Sequence, residues 1–209
     1  MRNAGRPTCR TAARRAAVAF PDRILKRLKQ GTAAFLEFIV NPVAGLPSAF
    51  QKLDRQSALE VGVLYGIVFD ICVVIGVYAA LPKFLGGPGI GDILKLFVVG
   101  LVPFVGVAGA CAVARSIFRG TGNMQSDVFI AGSALLPSGF LVLLSGLLGV
   151  GNWEVVAVLT VFTGCYTILL LYSGCTRISQ VHEGKAAAAV PVIIILGGWI
   201  AKIVFTSIV

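Results

Sequence analysis

The stretch Asp127–Val150, DVFIAGSALLPSGFLVLLSGLLGV, decides the fold. Beyond its first residue it carries no charge. At about 1.5 Å of rise per residue, a helix over it is long enough to cross the roughly 30 Å core of a bilayer. Pro137 stands in mid-span, with Gly132, Ser133, Ser138 and Gly139 around it. A proline there removes one helical hydrogen bond and kinks the helix, and lipid cannot satisfy the freed carbonyl. Neighbouring helices must therefore pack close or supply a hydroxyl. The small residues would let another backbone approach, and Ser133 is placed to bond the carbonyl of Phe129. The segment is predicted to lie inside a bundle, with other spans gathered at its kink.

The rest of the chain matches that reading. Its 209 residues are 57% hydrophobic and only 13% charged, with a mean hydropathy of +0.91. Several apolar runs exceed the length a span requires, which predicts an all-α, polytopic membrane protein. Five transmembrane helices are expected at about 59–81, 93–114, 127–150, 154–175 and 186–206. Gly62 and Gly66 form a GxxxG pattern in the first, and Gly106, Ala110 and Ala114 a small-residue face in the second. Pro103 and Pro191 add possible kinks in the second and fifth. The third and fourth spans are separated by only Gly151, Asn152 and Trp153, so they should form an antiparallel hairpin, with Trp153 at the interface.

Before the first span the character changes. Residues 1–55 read as a basic cytosolic tail and 56–209 as the membrane domain. Residues 1–21 are Arg-rich with no apolar run before Pro21, unlike a secretory signal peptide. Over 22–40, Ile24, Leu25, Leu28, Phe35, Leu36 and Ile39 recur at helical spacing among Lys26, Arg27 and Lys29. That is a basic amphipathic segment suited to a membrane surface, which Gly31 and Thr32 should break in two. Pro42 and Pro47 then mark a turn-rich approach to the bilayer.

Charge sets the orientation. The tail before the first span carries eleven Lys or Arg, the second-to-third and fourth-to-fifth loops two each, and the other two loops together only Lys83. The N-terminus is therefore expected in the cytosol and the C-terminus outside or in a lumen. The partner implied for the tail is anionic lipid, not nucleic acid, since no aromatic interleaving or recognition motif accompanies the charge.

Candidates for chemistry are few. An ionisable group inside a span is a functional candidate by default, and Asp70 is the foremost. Counted from the cytosolic ends, Asp70 and Lys202 differ in depth by about 8 Å, so a pair is geometrically allowed. The alternative is that Lys202 snorkels outward and Asp70 is neutral or bonded to a hydroxyl. His182 is the single histidine and stands in a loop. The five cysteines show no CxxC spacing and read as small reduced side chains, not as a metal site. No HExxH, GxSxG or second mid-membrane carboxylate is present, so no catalytic residue, metal or cofactor is expected.

The central stretch resembles that of Yip1-domain membrane proteins. Bacterial members show small residues, then Leu-Leu-Pro, then an apolar run ending in glycine, and here those positions are Gly132, Ser133, Leu135, Leu136 and Pro137. FIVNPVAGLPSAF (Phe38–Phe50) resembles the family's proline-containing segment before the first span, and GKAAAAVPVIIIL (Gly184–Leu196) its last span's beginning. The DLYGP-like motif of eukaryotic members is lacking, so the likeness is to a bacterial member in an inner membrane rather than to one of the ER or Golgi. It implies a non-enzymatic adaptor or membrane organiser that works through membrane protein partners or as a homo-oligomer. The alternative from the residues is a small transporter or channel subunit built on Asp70 and the kinked spans.

Overall fold

A computed structural model describes residues 28–80, 89–148 and 153–208. The predicted tail up to residue 27, the 81–88 loop and the turn at 149–152 lie outside the described residues. No strand occurs among them. Helix α1 covers 28–40, followed by α2 (Gly45–Gln51), α3 (Arg55–Ala80), α4 (Ile90–Ile117), α5 (Met124–Leu148), α6 (Trp153–Ser173) and α7 (Glu183–Ile208). A π-helical turn, Gly174–Ile178, ends α6. Five helices, α3 to α7, are long and apolar enough to cross a membrane, so the chain is an integral multi-pass membrane protein.

The spans start or end a few residues beyond their predicted limits, chiefly at one end of the bundle. There α4 continues to Ile117, α5 begins at Met124, the fourth span reaches Ile178 and α7 begins at Glu183. These extra turns are polar, so hydropathy alone cuts them off. The end they form also carries α2, and its exposed Arg55, Arg119, Arg177 and Lys185 make it the basic end.

At the centre α3 and α5 run parallel in extensive contact. Gly62 lies on Val128 and Phe129, Phe69 on Gly139, and Gly76 on Val142 and Gly146. Glycine recurs in α5 at 132, 139 and 146, a seven-residue repeat that stays on one side of a helix pair. With no Cβ on either surface the two backbones touch, which is how helices gain contact where lipid offers no hydrophobic drive. The predicted GxxxG does not work as one face. Gly62 meets α5 whereas Gly66 receives the Phe104 ring of α4.

The remaining helices surround this pair. Helix α4 runs antiparallel to α3, pairing Gly66 with Phe104 and Asp70 with Gly100. On its other side Gly106 crosses α7 at Gly197 and Ile200, and Ala110 and Ala114 are buried as their spacing implied. Helix α6 runs antiparallel to α5, with Gly174 on Ile130 and Thr167 bonded at Ala134. An apolar groove of about 450 Å³, lined by Ile168, Tyr172, Val190 and Ile194 among others, separates α6 from α7.

Helix α1 continues unbroken through Gly31 and Thr32, contrary to the expected break. Gly31 packs on Leu64 and Tyr65 of α3, and its carbonyl accepts from the Tyr65 hydroxyl at 2.6 Å. Phe38 is wholly buried and stacks edge-on with Tyr65, while Phe35 reaches Phe140 of α5. The segment is therefore docked along the bundle instead of lying on a surface by itself. Its far end is clamped by Glu37, which accepts from Lys52 Nζ at 2.6 Å and Ser48 Oγ at 2.7 Å. The Lys52 ammonium, with help from Ser48, holds the Glu37 carboxyl below the ordinary carboxylate range. A group with a lowered folded value stabilises above its unfolded value and loses that contribution as pH falls through the folded one. The protection of α1 amides, taken relative to their intrinsic exchange rates, is accordingly expected to fall in mild acid, and Glu37→Gln should remove that dependence. Equal acid sensitivity in the variant would show that the clamp is not the cause.

Candidate functional site

The sequence singles out prolines and the polar groups beside them, and the structure shows how the chain deals with several of these interruptions. A proline at position i leaves the carbonyl of i−4 without its helical donor. For Pro42 that is the carbonyl of Phe38, and it accepts a hydrogen bond from the Tyr166 hydroxyl of α6. For Pro47 it is Val43, whose carbonyl accepts from Ser173 Oγ at 2.6 Å. At Pro137 the hydroxyl of Thr167 donates at 3.1 Å to Ala134, the residue after the freed Ser133 carbonyl, and lies 3.5 Å from Ser138 Oγ. Tyr166, Thr167 and Ser173 thus give one face of α6 to the proline-broken turns of other segments. The expectation at Pro137 is close packing or a hydroxyl on the freed carbonyl, and the hydroxyl that α6 brings goes instead to the neighbouring Ala134 carbonyl. The two tyrosine and serine donors are more than 100 residues from their acceptors in sequence, and no local spacing announces them.

Thr167→Val keeps the shape and removes the donor. It is expected to lower stability in detergent by about 1 kcal/mol, the usual net worth of one such bond. No measurable change would mean that the Ala134 carbonyl needs no partner from α6.

The small residues around Pro137 are placed as their sizes imply. Gly132 faces Gly62 and Tyr65, and Gly139 faces Phe69. Ser133 departs from expectation. Its hydroxyl is fully buried and forms no hydrogen bond with Phe129 or with any other described group.

Asp70 is also fully buried, and among the described residues no N–H or O–H donor reaches either carboxyl oxygen. It points at α4, where a Cβ built on Gly100 would overlap Oδ1. Lys202 is exposed on α7. The structure therefore keeps the two apart, and the depth match found from the sequence has no counterpart in helix adjacency. Pro103 lies partly buried one turn beyond Gly100. Its freed carbonyl belongs to Val99, the residue beside Gly100.

At the basic end a second polar group of residues emerges. Arg115, in the last turn of α4, donates through Nε to both oxygens of Asp127, at 3.0 and 3.3 Å. Asp127 is 1% exposed and stands in the first turn of α5, where a negative charge also suits the helix dipole. Asn123 caps that turn, accepting from Ser126 N through Oδ1 at 3.0 Å while its own N–H donates to Ser126 Oγ at 3.0 Å. The two loops of this end are joined. Thr121 N donates to the Ser179 carbonyl at 3.0 Å, and Thr121 Oγ1 donates to Gln180 Oε1 at 2.6 Å. Gly120 allows the approach, because a Cβ there would stand 2.6 Å from the Ser179 oxygen. Arg119 and Gln180, at φ 56° and 52°, both adopt the left-handed conformation that ends their helices.

His182 is exposed and its Nδ1 accepts from Gly184 N at 3.3 Å, a local turn at the start of α7. Cys72, Cys111 and Cys175 are buried free thiols and Cys165 is exposed. Among the described residues no group of three or more His, Cys, Asp or Glu side chains is arranged to hold a metal. Comparison of the chain with protein-family models, curated proteins and solved structures finds no match to any of them.

Proposed function

We propose that this chain is a non-enzymatic membrane protein, an adaptor or membrane organiser of the Yip1-like kind, seated in a bacterial inner membrane with its basic end in the cytosol. The observation that carries this reading is where the polar groups go. Tyr65, Tyr166, Ser173 and Thr167 all donate to backbone carbonyls of the same chain, so they hold α1, α2 and the proline turns to the bundle. Four exposed cations, Arg55, Arg119, Arg177 and Lys185, gather at one end of it, while Lys95 and Lys202 stand singly toward the other. Such a surface attracts anionic lipid by about 1 kcal/mol for each Lys or Arg near it. The resemblance in Phe38–Phe50, in Gly132–Pro137 and in Gly184–Leu196 supports the family assignment, and the five-span bundle supports the same topology.

The test is lipid dependence. A peptide of residues 1–27 is expected to bind liposomes in proportion to their anionic lipid, and salt should weaken that binding. Equal binding to neutral liposomes, or none to anionic ones, would remove the lipid-gripping part of the reading. Cross-linking in native membranes should capture protein neighbours or a second copy through the basic end. Failure to capture either would argue against an adaptor.

A further inference from the structure

We propose that Asp70 is a proton-binding site inside the membrane, held as the neutral acid, whose O–H serves the carbonyl that Pro103 frees in α4. Two independent features of the structure meet there. One is a wholly buried carboxyl that no donor reaches. The other is a proline-broken turn at the same place on the facing helix, with Gly100 removing the side chain that would keep the two apart.

A carboxylate can only accept hydrogen bonds, whereas the protonated group can donate one. The turn beside Asp70 offers an acceptor, the Val99 carbonyl, which has lost its helical N–H to Pro103. As an anion Asp70 would be desolvated with nothing to balance it, a cost several-fold larger than that of a neutral polar group. With a proton from the aqueous phase added to the carboxylate, the acid's donor and the freed acceptor complete each other. The chain uses the same device elsewhere, with Tyr166 on Phe38 for Pro42 and Ser173 on Val43 for Pro47. Asp70 would be the third hydroxyl of that kind and, being a carboxylic acid rather than a phenol or an alcohol, the most readily ionised of the three.

No charged side chain competes at that depth. Helix α3 carries Glu60 near its start, and α4 has Asp92 and Lys95 towards one end and Arg115 at the other. The acid of α5, Asp127, is bound to Arg115. Glu37 of α1 is bound to Lys52, and Lys29 of α1 and Lys202 of α7 are exposed. The proton therefore ties α3 to α4. Its release would leave a charge that only parting these helices to admit water or a cation could relieve. That makes the α3–α4 contact responsive to protons and goes beyond the adaptor reading.

The full chain in nanodiscs should show, by infrared spectroscopy, the carbonyl stretch of a buried neutral carboxylic acid at neutral pH. Asp70→Asn should lack the band. Thermal stability of the parent should fall by several degrees towards alkaline pH, because the folded state binds a proton that the unfolded state releases. Asp70→Asn should lose that part of the dependence. Pro103→Ala restores the N–H to Val99, so the band should persist but shift. This variant keeps the test decisive if Asp70→Asn does not fold. A band that is absent in the parent, or parent and Asp70→Asn curves that coincide, would overturn the proposal. An unshifted band in Pro103→Ala would overturn the role of Val99. Stabilisation by sodium with no pH response would assign the site to a metal cation instead and overturn the proton.

Discussion

Gly132→Leu is expected to prevent the bundle from forming or to destabilise it by about 3 kcal/mol or more. Overpacking usually costs about 1–3 kcal/mol because flexible side chains can yield. Here nothing flexible stands in the way. A Cβ at Gly132 overlaps the backbone carbonyl of Gly62, and one at Gly146 overlaps that of Gly76. Both helices would have to move apart along a contact that glycine repeats across four turns. Gly146→Leu should therefore match Gly132→Leu. The control is Gly164→Leu, on a face of α6 where a Cβ meets nothing within 4 Å. It should change stability by less than about 0.5 kcal/mol. Thermal unfolding in detergent compares the three variants. If Gly132→Leu and Gly164→Leu were equally tolerated, α3 and α5 would not be the centre of the fold.

Arg115→Ala should have the second-largest effect. It leaves the Asp127 carboxyl at 1% exposure without its partner, and breaking a pair in this way costs up to about 3–5 kcal/mol. Arg115→Lys should recover much of that loss, because a single nitrogen, Nε, faces both carboxyl oxygens and one ammonium nitrogen can make the same contact. Replacing both partners by leucine should cost less than Arg115→Ala alone, since no lone buried charge then remains. The chemical denaturation midpoints of the parent, Arg115→Ala, Arg115→Lys, Arg115→Leu, Asp127→Leu and the double leucine variant measure this. A double variant as unstable as the sum of its single variants would mean that the two residues do not act on each other.

The two predictions differ in how far the sequence led to them. Asp127 marked the start of the decisive span, and Arg115 was read only as a loop charge that orients the protein. Their contact depends on α4 and α5 ending side by side, a matter of helix adjacency that hydropathy does not carry. The α5 glycines at 132 and 139 were visible as small residues near a proline. Their partners in α3 were not, because the evident pattern in α3 was GxxxG, whose two glycines turn out to face different helices.

By itself the sequence determined that this protein is a helical membrane protein with five spans, roughly where each runs, and that its charge gathers at one end. These follow from local properties. A run of apolar residues long enough to cross a bilayer must be helical there, since lipid satisfies no backbone group. Only the tertiary structure decided which glycines touch, that α1 docks along the bundle, that Lys202 lies away from Asp70, and that α6 supplies hydroxyls to prolines far from it in sequence. In lipid every face of a span is apolar whether it meets protein or acyl chains, so the pattern that reveals the buried face of a soluble helix is lost. What selects the neighbours is backbone contact at glycine and hydrogen bonding to freed carbonyls. Both depend on three-dimensional register, which for Gly62 and Gly132, or for Tyr166 and Phe38, exists only once the helices have packed.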